Sequence, residues 1–297
     1  MMPTQRRNGM MSMNNDGFLA RKLLSIASVL VMILGMVACG GTNPDSDNRN
    51  PGETLTVVFQ NPLPDPFENL VAGDINSDAP DQAVILANLA EAQEINADAK
   101  AWLYLPNTTI NDVVLQSTDN DYYLRRNVYR NYTLYGCYFA DFRSKLQDGN
   151  LSPNIVIYGH SFDDNPDGLL FSQFKKYLNI DFARSNPIIY LTTSTKEYQF
   201  QVFAIFYTDL KFYYWDVDAS PASLQNIITE AKLRSQLTFD VDVNANDTIL
   251  TLSTCTYQYG RRDDQRCVLM ARLLRNGESI PNQSPVTVNP NPKQPTF

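Results

Sequence analysis

The chain has 297 residues, 43% of them hydrophobic and 11% aromatic, enough to bury one sizeable core with one main domain as the default. Its formal net charge is -8; the first 38 residues hold Arg6, Arg7, Arg21 and Lys22 against Asp16, which leaves 20 basic and 31 acidic residues, a net of -11, for the remainder. An acidic body of this kind argues against nucleic acid as a partner, because phosphate backbones are bound by an excess of Lys and Arg.

From the N-terminus, Arg21 and Lys22 precede an uncharged stretch, residues 23–38, that ends in Met36-Val37-Ala38-Cys39-Gly40-Gly41. This is the pattern of an export signal. The stretch is shorter than the about 20 residues of a membrane-spanning helix, and its end has the form of a lipobox, in which Cys39 is lipidated and becomes the mature N-terminus. The alternative is an uncleaved membrane anchor over residues 19–38. On either reading the rest of the chain works on the extracytoplasmic face of the membrane. Residues 40–79 are expected to be a tether and lead-in, since 40–53 are rich in Gly, Asn, Pro and Asp without periodic apolar positions.

Residues 80–97 then show helical periodicity through Val84, Leu86, Leu89, Ala90 and Ile95. Short apolar runs bounded by turn residues follow at 102–105, 113–115, 135–139, 155–158, 188–191, 198–207, 249–252 and 267–274. Such runs predict a mainly β fold, a closed and mostly antiparallel barrel with helices outside it. One short helix is expected at 169–178. Another is expected at 221–233, where Leu224, Ile227, Ile228 and Ala231 recur behind Pro221 and the capping candidates Asp218 and Ser220. The domain is bounded at 80–275, and the tail 276–297, with Pro281, Pro285, Pro290, Pro292 and Pro295, is expected to be disordered.

Four cysteines in an exported chain would suggest two disulfides, but a lipidated Cys39 leaves Cys137, Cys255 and Cys267, an odd number with room for a free thiol. His160 is the single histidine, and it directly follows the strand-like run 154–159. Cys255 stands in the matching place at the end of 248–254. A thiol becomes a useful nucleophile near neutral pH when a histidine or arginine lies close. Arg266 begins the next predicted strand, and antiparallel pairing across the loop 256–265 would bring it near Cys255, where a guanidinium can hold an oxyanion. In isolation each residue also has a plain reading: a surface histidine, a small buried cysteine, an arginine on a solvated loop. No phosphate loop, CxxC pair or histidine cluster competes, so neither a cofactor nor a metal is expected. The acidic run 163–168 lacks the later glutamate of a calcium loop and reads as a turn.

Several ordered segments together resemble one family. Ile157-Tyr158-Gly159-His160, followed by Leu169-Leu170-Phe171-Ser172-Gln173-Phe174, resembles the histidine motif of class B sortases; Thr251-Leu252-Ser253-Thr254-Cys255 and Arg266-Cys267-Val268-Leu269-Met270-Ala271-Arg272-Leu273 resemble its cysteine strand and arginine-bearing last strand. Residues 101–106, 119–124 and 139–143 extend the likeness over roughly 80–275. The resemblance implies an eight-stranded sortase barrel with N-terminal helices and a helix in the long connection before the cysteine strand. It implies a cysteine transpeptidase with Cys255 as nucleophile, His160 as proton partner and Arg266 as oxyanion stabiliser, and with Asn120, Tyr158 and Ser253 lining the substrate groove. The donor would be a secreted protein with a C-terminal sorting signal, and the acceptor an amine of a peptidoglycan precursor or a pilin-like surface subunit. Some class B members carry an acid directly after the nucleophile, where this chain has Thr256. Two other readings stay open at this point: a Cys-His cell-wall peptidase that hydrolyses, and a surface lipoprotein that binds peptide or glycan on a dead site.

Overall fold

The computed structural model describes residues 81–162 and 164–297; the leader, Cys39 and the tether expected up to residue 79 lie outside them. Asp81 accepts the Ala83 N–H on its side chain and so opens helix α1 (Gln82–Ile95), whose Ile85, Leu89 and Ala92 make one buried stripe at helical spacing. That stripe packs with Trp102, Val113, Leu115 and Tyr123 in a satellite core.

Strands β1 (Ala99–Tyr104) and β2 (Asn111–Leu115) form an antiparallel hairpin, and β3 (Tyr138–Ala140) lies parallel to β2. After a small side hairpin, β4 (Leu146–Gln147) with β5 (Asn150–Leu151), the chain returns as β6 (Asn154–Tyr158), antiparallel to β3. Then come β7 (Ile188–Thr192), the long β8 (Glu197–Asp209), a short β9 (Leu237–Phe239), β10 (Ile249–Cys255) and β11 (Gln265–Leu273). Eight of these close in the order β1-β2-β3-β6-β10-β11-β8-β7. Closure leaves the ring with no unpaired edge. Each of the eight predicted runs became one strand of this ring. Two pairs are parallel, β2 with β3 and β6 with β10.

Helix α3 (Pro221–Arg234) sits in the long connection before β10, as expected. Pro221 opens it, Ser220 accepts the Ser223 N–H, and Leu224, Ile227, Ile228 and Ala231 turn inward against β8. Continuous burial of β8 from Val202 to Phe206 follows from this cover, since a strand packed on both faces loses its polar alternation.

Two expectations need correction. The predicted helix at 169–178 is instead a 3₁₀ turn, Gln173–Leu178, followed by the short helix α2 (Ile180–Ser185). Asn179 separates them: its side chain accepts the N–H groups of Asp181 and Phe182 and restarts the helix. The proline-rich tail is also built into the fold. Val286–Val288 forms β12, antiparallel to β9, with Val286 buried. Prolines cannot donate to a ladder, but a Val-Thr-Val run between them still offers alternating side chains and N–H groups to a short strand that lacked a partner. Beyond β12, the Asn289 amide donates to Ser235 O and Lys293 pairs with Glu230, both at α3. Phe297 then lies against Tyr259 and the Arg262 guanidinium, in the loop between β10 and β11.

Candidate active site

Cys255 is the last residue of β10 and the exposed one of a strand whose other six residues are buried. Its strand is central, so both flanks bring something to it. On the antiparallel side Cys255 stands in register with Arg266 of β11. Side chains so opposed have Cβ atoms about 4.5–5.5 Å apart. On the parallel side β6 pairs with β10 up to Tyr158 opposite Ser253, and the contact runs on: the Gly159 N–H approaches Ser253 O at 3.4 Å, and Thr254 Oγ1 donates to Gly159 O at 2.7 Å. Continued by one more position on each strand, that register carries His160 out of the barrel at the level of Cys255. All three residues proposed from sequence for chemistry meet at one end of the barrel.

Their hydrogen bonds are directed elsewhere in this conformation. His160 Nε2 lies 2.8 Å from Leu124 O and 2.8 Å from Arg125 Nη1. Burial holds this imidazole below its ordinary pKa; the Leu124 carbonyl acts against that and the Arg125 charge adds to it. Arg266 Nη1 donates to Asp263 O at 2.6 Å and Gln265 O at 2.9 Å, carbonyls of its own loop. Beneath them Tyr214 is fully enclosed. Burial pushes its hydroxyl up to about 12, against the hydrogen bond from Ser253 and the charge of Arg266, while Cys255 pushes the same way as burial.

Of the three residues expected to line the groove, two converge and one turns away. The Asn120 amide donates to Asp141 Oδ2 at 2.9 Å, and the Tyr158 hydroxyl donates to the same oxygen at 3.1 Å. Asp141 is wholly buried and gripped by Arg143 Nε and Nη2, each at 2.9 Å. Burial pushes this carboxyl up, but the Arg143 hydrogen bonds outweigh it and hold it below the usual carboxylate range. Ser253 instead spends its hydroxyl inward, 2.8 Å from the Tyr214 hydroxyl.

Sequence reasoning passed over Arg125, the Asp141–Arg143 pair and Tyr214. The Asp-x-Arg spacing at 141–143 was a readable turn signal, whereas nothing local marks Arg125 as a neighbour of His160. It also treated 163–168 as a plain turn, and Asp164 there accepts Thr256 Oγ1 at 2.9 Å. Among the described residues no group of His, Cys, Asp and Glu could hold a metal ion.

A family description, Sortase domain, matches residues 103–274. The chain belongs to the sortase family. Sortase B of Listeria monocytogenes is 33% identical to it over 178 residues, 58% of this chain and 70% of that one. Sortase B of Staphylococcus aureus is 33% identical over 184 residues, 62% of this chain and 73% of that one. In three dimensions it is similar to a Staphylococcus aureus sortase B–substrate complex, with a TM-score of 0.58 and 31% identity over 65% of this chain and 87% of the other. Sortase B complexed with triglycine gives the same TM-score and identity, over 66% and 89%. This sortase is thus of class B, a cysteine transpeptidase on the eight-stranded barrel that the family resemblance implied.

Proposed function

We propose that Cys255, His160 and Arg266 are the catalytic set of this sortase. Its donor is a secreted protein with a C-terminal sorting signal, and its acceptor is an amine of a peptidoglycan precursor or of a surface subunit. The observation that carries the assignment is register: Cys255 opposes Arg266 across β10–β11, and β6 delivers His160 at the same level. Similarity to a sortase B–substrate complex and to sortase B complexed with triglycine supports a peptide donor and a small amine acceptor.

In the first half-reaction Cys255 gives its thiol proton to the His160 imidazole and its sulfur attacks the carbonyl carbon at the scissile bond of the sorting signal. The carbonyl oxygen takes the displaced electron pair as an oxyanion, and the Arg266 guanidinium donates hydrogen bonds to it. Collapse breaks the C–N bond, His160 gives its proton to the departing amine, and a thioester remains on Cys255. In the second half an incoming amine attacks the thioester, His160 takes its proton, and the thiolate leaves. Both His160 and Arg266 turn away from the backbone carbonyls that hold them at rest. The Asp141–Arg143 pair steadies Asn120 and Tyr158 as one wall of the groove.

Attachment belongs to residues 1–39, through lipidated Cys39 or an uncleaved N-terminal span, which keeps the barrel on the extracytoplasmic face. Among the described residues no helix is long and apolar enough to cross a membrane.

Incubation with candidate sorting-signal peptides, with and without triglycine, tests the assignment by mass spectrometry. A peptide thioester on Cys255 and a triglycine-dependent product are expected, both absent in Cys255→Ala. Cleavage at a rate indifferent to triglycine, with no ligated product, would return the enzyme to the hydrolase reading.

A further inference from the structure

One buried ammonium in the molecule has no part in the chemistry above. Lys175, in the 3₁₀ turn Gln173–Leu178, has a side chain only 2% exposed. Its Nζ is ion-paired with Asp164, donates to Ser161 Oγ at 2.8 Å, and reaches the backbone carbonyl of Cys255 itself at 3.4 Å. The Asp164 carboxylate has further partners on the far side. Thr256 Oγ1 lies 2.9 Å from both of its oxygens, and the Tyr257 N–H donates to it at 2.8 Å. A single carboxylate therefore joins the loop that leaves His160 to Thr256 and Tyr257, the two residues that follow β10.

The loop is shaped to deliver it. Asp164 has φ 48°, a left-handed conformation uncommon outside glycine. Gly168 allows the return, because a Cβ there would lie 2.5 Å from Phe162 O. Ser172 Oγ closes the base, accepting the Phe162 N–H at 2.8 Å and donating to Phe162 O at 2.7 Å.

We propose that Asp164 and Lys175 are positioning residues, a latch that sets the separation between the His160 imidazole and the Cys255 thiol. The proposal rests on the reading of that pair as proton partner and nucleophile. Parallel pairing of β6 with β10 ends before either residue, so their side chains lie beyond the last strand-to-strand hydrogen bonds. The latch supplies the missing restraint across that gap. Proton transfer at hydrogen-bonding range falls off steeply with misplacement, and a shift of about 1 Å can cost 100-fold.

The test is the pH profile of Cys255 alkylation by iodoacetamide, read by mass spectrometry in the full chain. Four proteins are compared: the parent, His160→Ala, Thr256→Val, and the double variant Asp164→Asn/Lys175→Met. The double variant removes both buried charges together, leaving no unpaired ammonium and no change in net charge beside Arg125, Arg266 and Tyr214. Its profile should collapse onto that of His160→Ala, with alkylation at neutral pH slowed roughly tenfold and the melting temperature little changed; Thr256→Val should go part of the way. If both variants keep the parent profile, the latch is refuted and the pair stands. Superimposable parent and His160→Ala profiles would refute the pair itself, and the latch with it. Should the double variant fail to fold, Thr256→Val decides by the same comparison.

Discussion

Ser253 sits two residues before Cys255, and its hydroxyl distinguishes a groove-lining role from a structural one. The side chain is 2% exposed, its partner Tyr214 is 1% exposed, and their oxygens are 2.8 Å apart. Tyr214→Phe removes one oxygen and strands the Ser253 hydroxyl; Ser253→Ala strands the phenol. Each single change should destabilise by about 1–3 kcal/mol, the desolvation penalty of a buried group left unpaired. Removing both at once strands nothing. The double variant should therefore lose less than the two singles added, with a coupling of about 0.5–3 kcal/mol. For a domain of this size each kcal/mol corresponds to roughly 2–4 °C in melting temperature. Denaturant titrations of the four proteins measure the cycle, and peptide kinetics on Ser253→Ala should show KM nearly unchanged. Additive losses, or an unaltered stability together with a KM raised about tenfold (about 1.4 kcal/mol of binding), would refute the inward role and return Ser253 to the groove.

Because His160 is the single histidine of the chain, its imidazole resonances need no assignment. Arg125→Gln takes away a neighbouring positive charge, so the NMR titration midpoint should rise; a midpoint unchanged or lowered would sink the account. The folded parent binds this proton less readily than the unfolded chain, so stability should fall as pH drops through about 6.5 toward the folded midpoint, and fall less in the variant. Brief alkylation near neutral pH should mark exposed Cys255 first and spare Cys267, whose thiol is fully buried and pushed up to about 12; fast modification of Cys267 in the folded protein would contradict this. Removal of residues 289–297 should raise amide exchange in residues 256–264, since Phe297 no longer covers Tyr259 and Arg262; unchanged exchange there would deny the tail a role in ordering that loop.

Much of the barrel was legible because its strands are short, apolar and separated by turn residues, and because Ser220-Pro221 announces the start of α3 chemically. The catalytic candidates were legible for a related reason: each sits at or just beyond a strand end, where continuous burial gives way to partial or full exposure. Residues that act on them across space were not. Arg125 reaches His160 from 35 positions away, Tyr214 reaches Ser253 from 39, and Asp164 reaches Thr256 from 92, through loops whose course no local pattern encodes. The tail misled for a different reason. Five prolines suggested a chain unable to pair, whereas the three residues between Pro285 and Asn289 needed only the free side of β9.

The parallel pairing of β6 with β10 has a further consequence for when activity arises. Gly159 and Thr254 touch across 95 residues of chain, one of the longest closures in the ring, and contacts so distant in sequence form late because loop entropy opposes them until other contacts hold the ends. A partly folded chain therefore carries a cysteine without its imidazole. The proposed thioester chemistry would therefore be acquired only once this closure has formed, which ties activity to completion of the barrel.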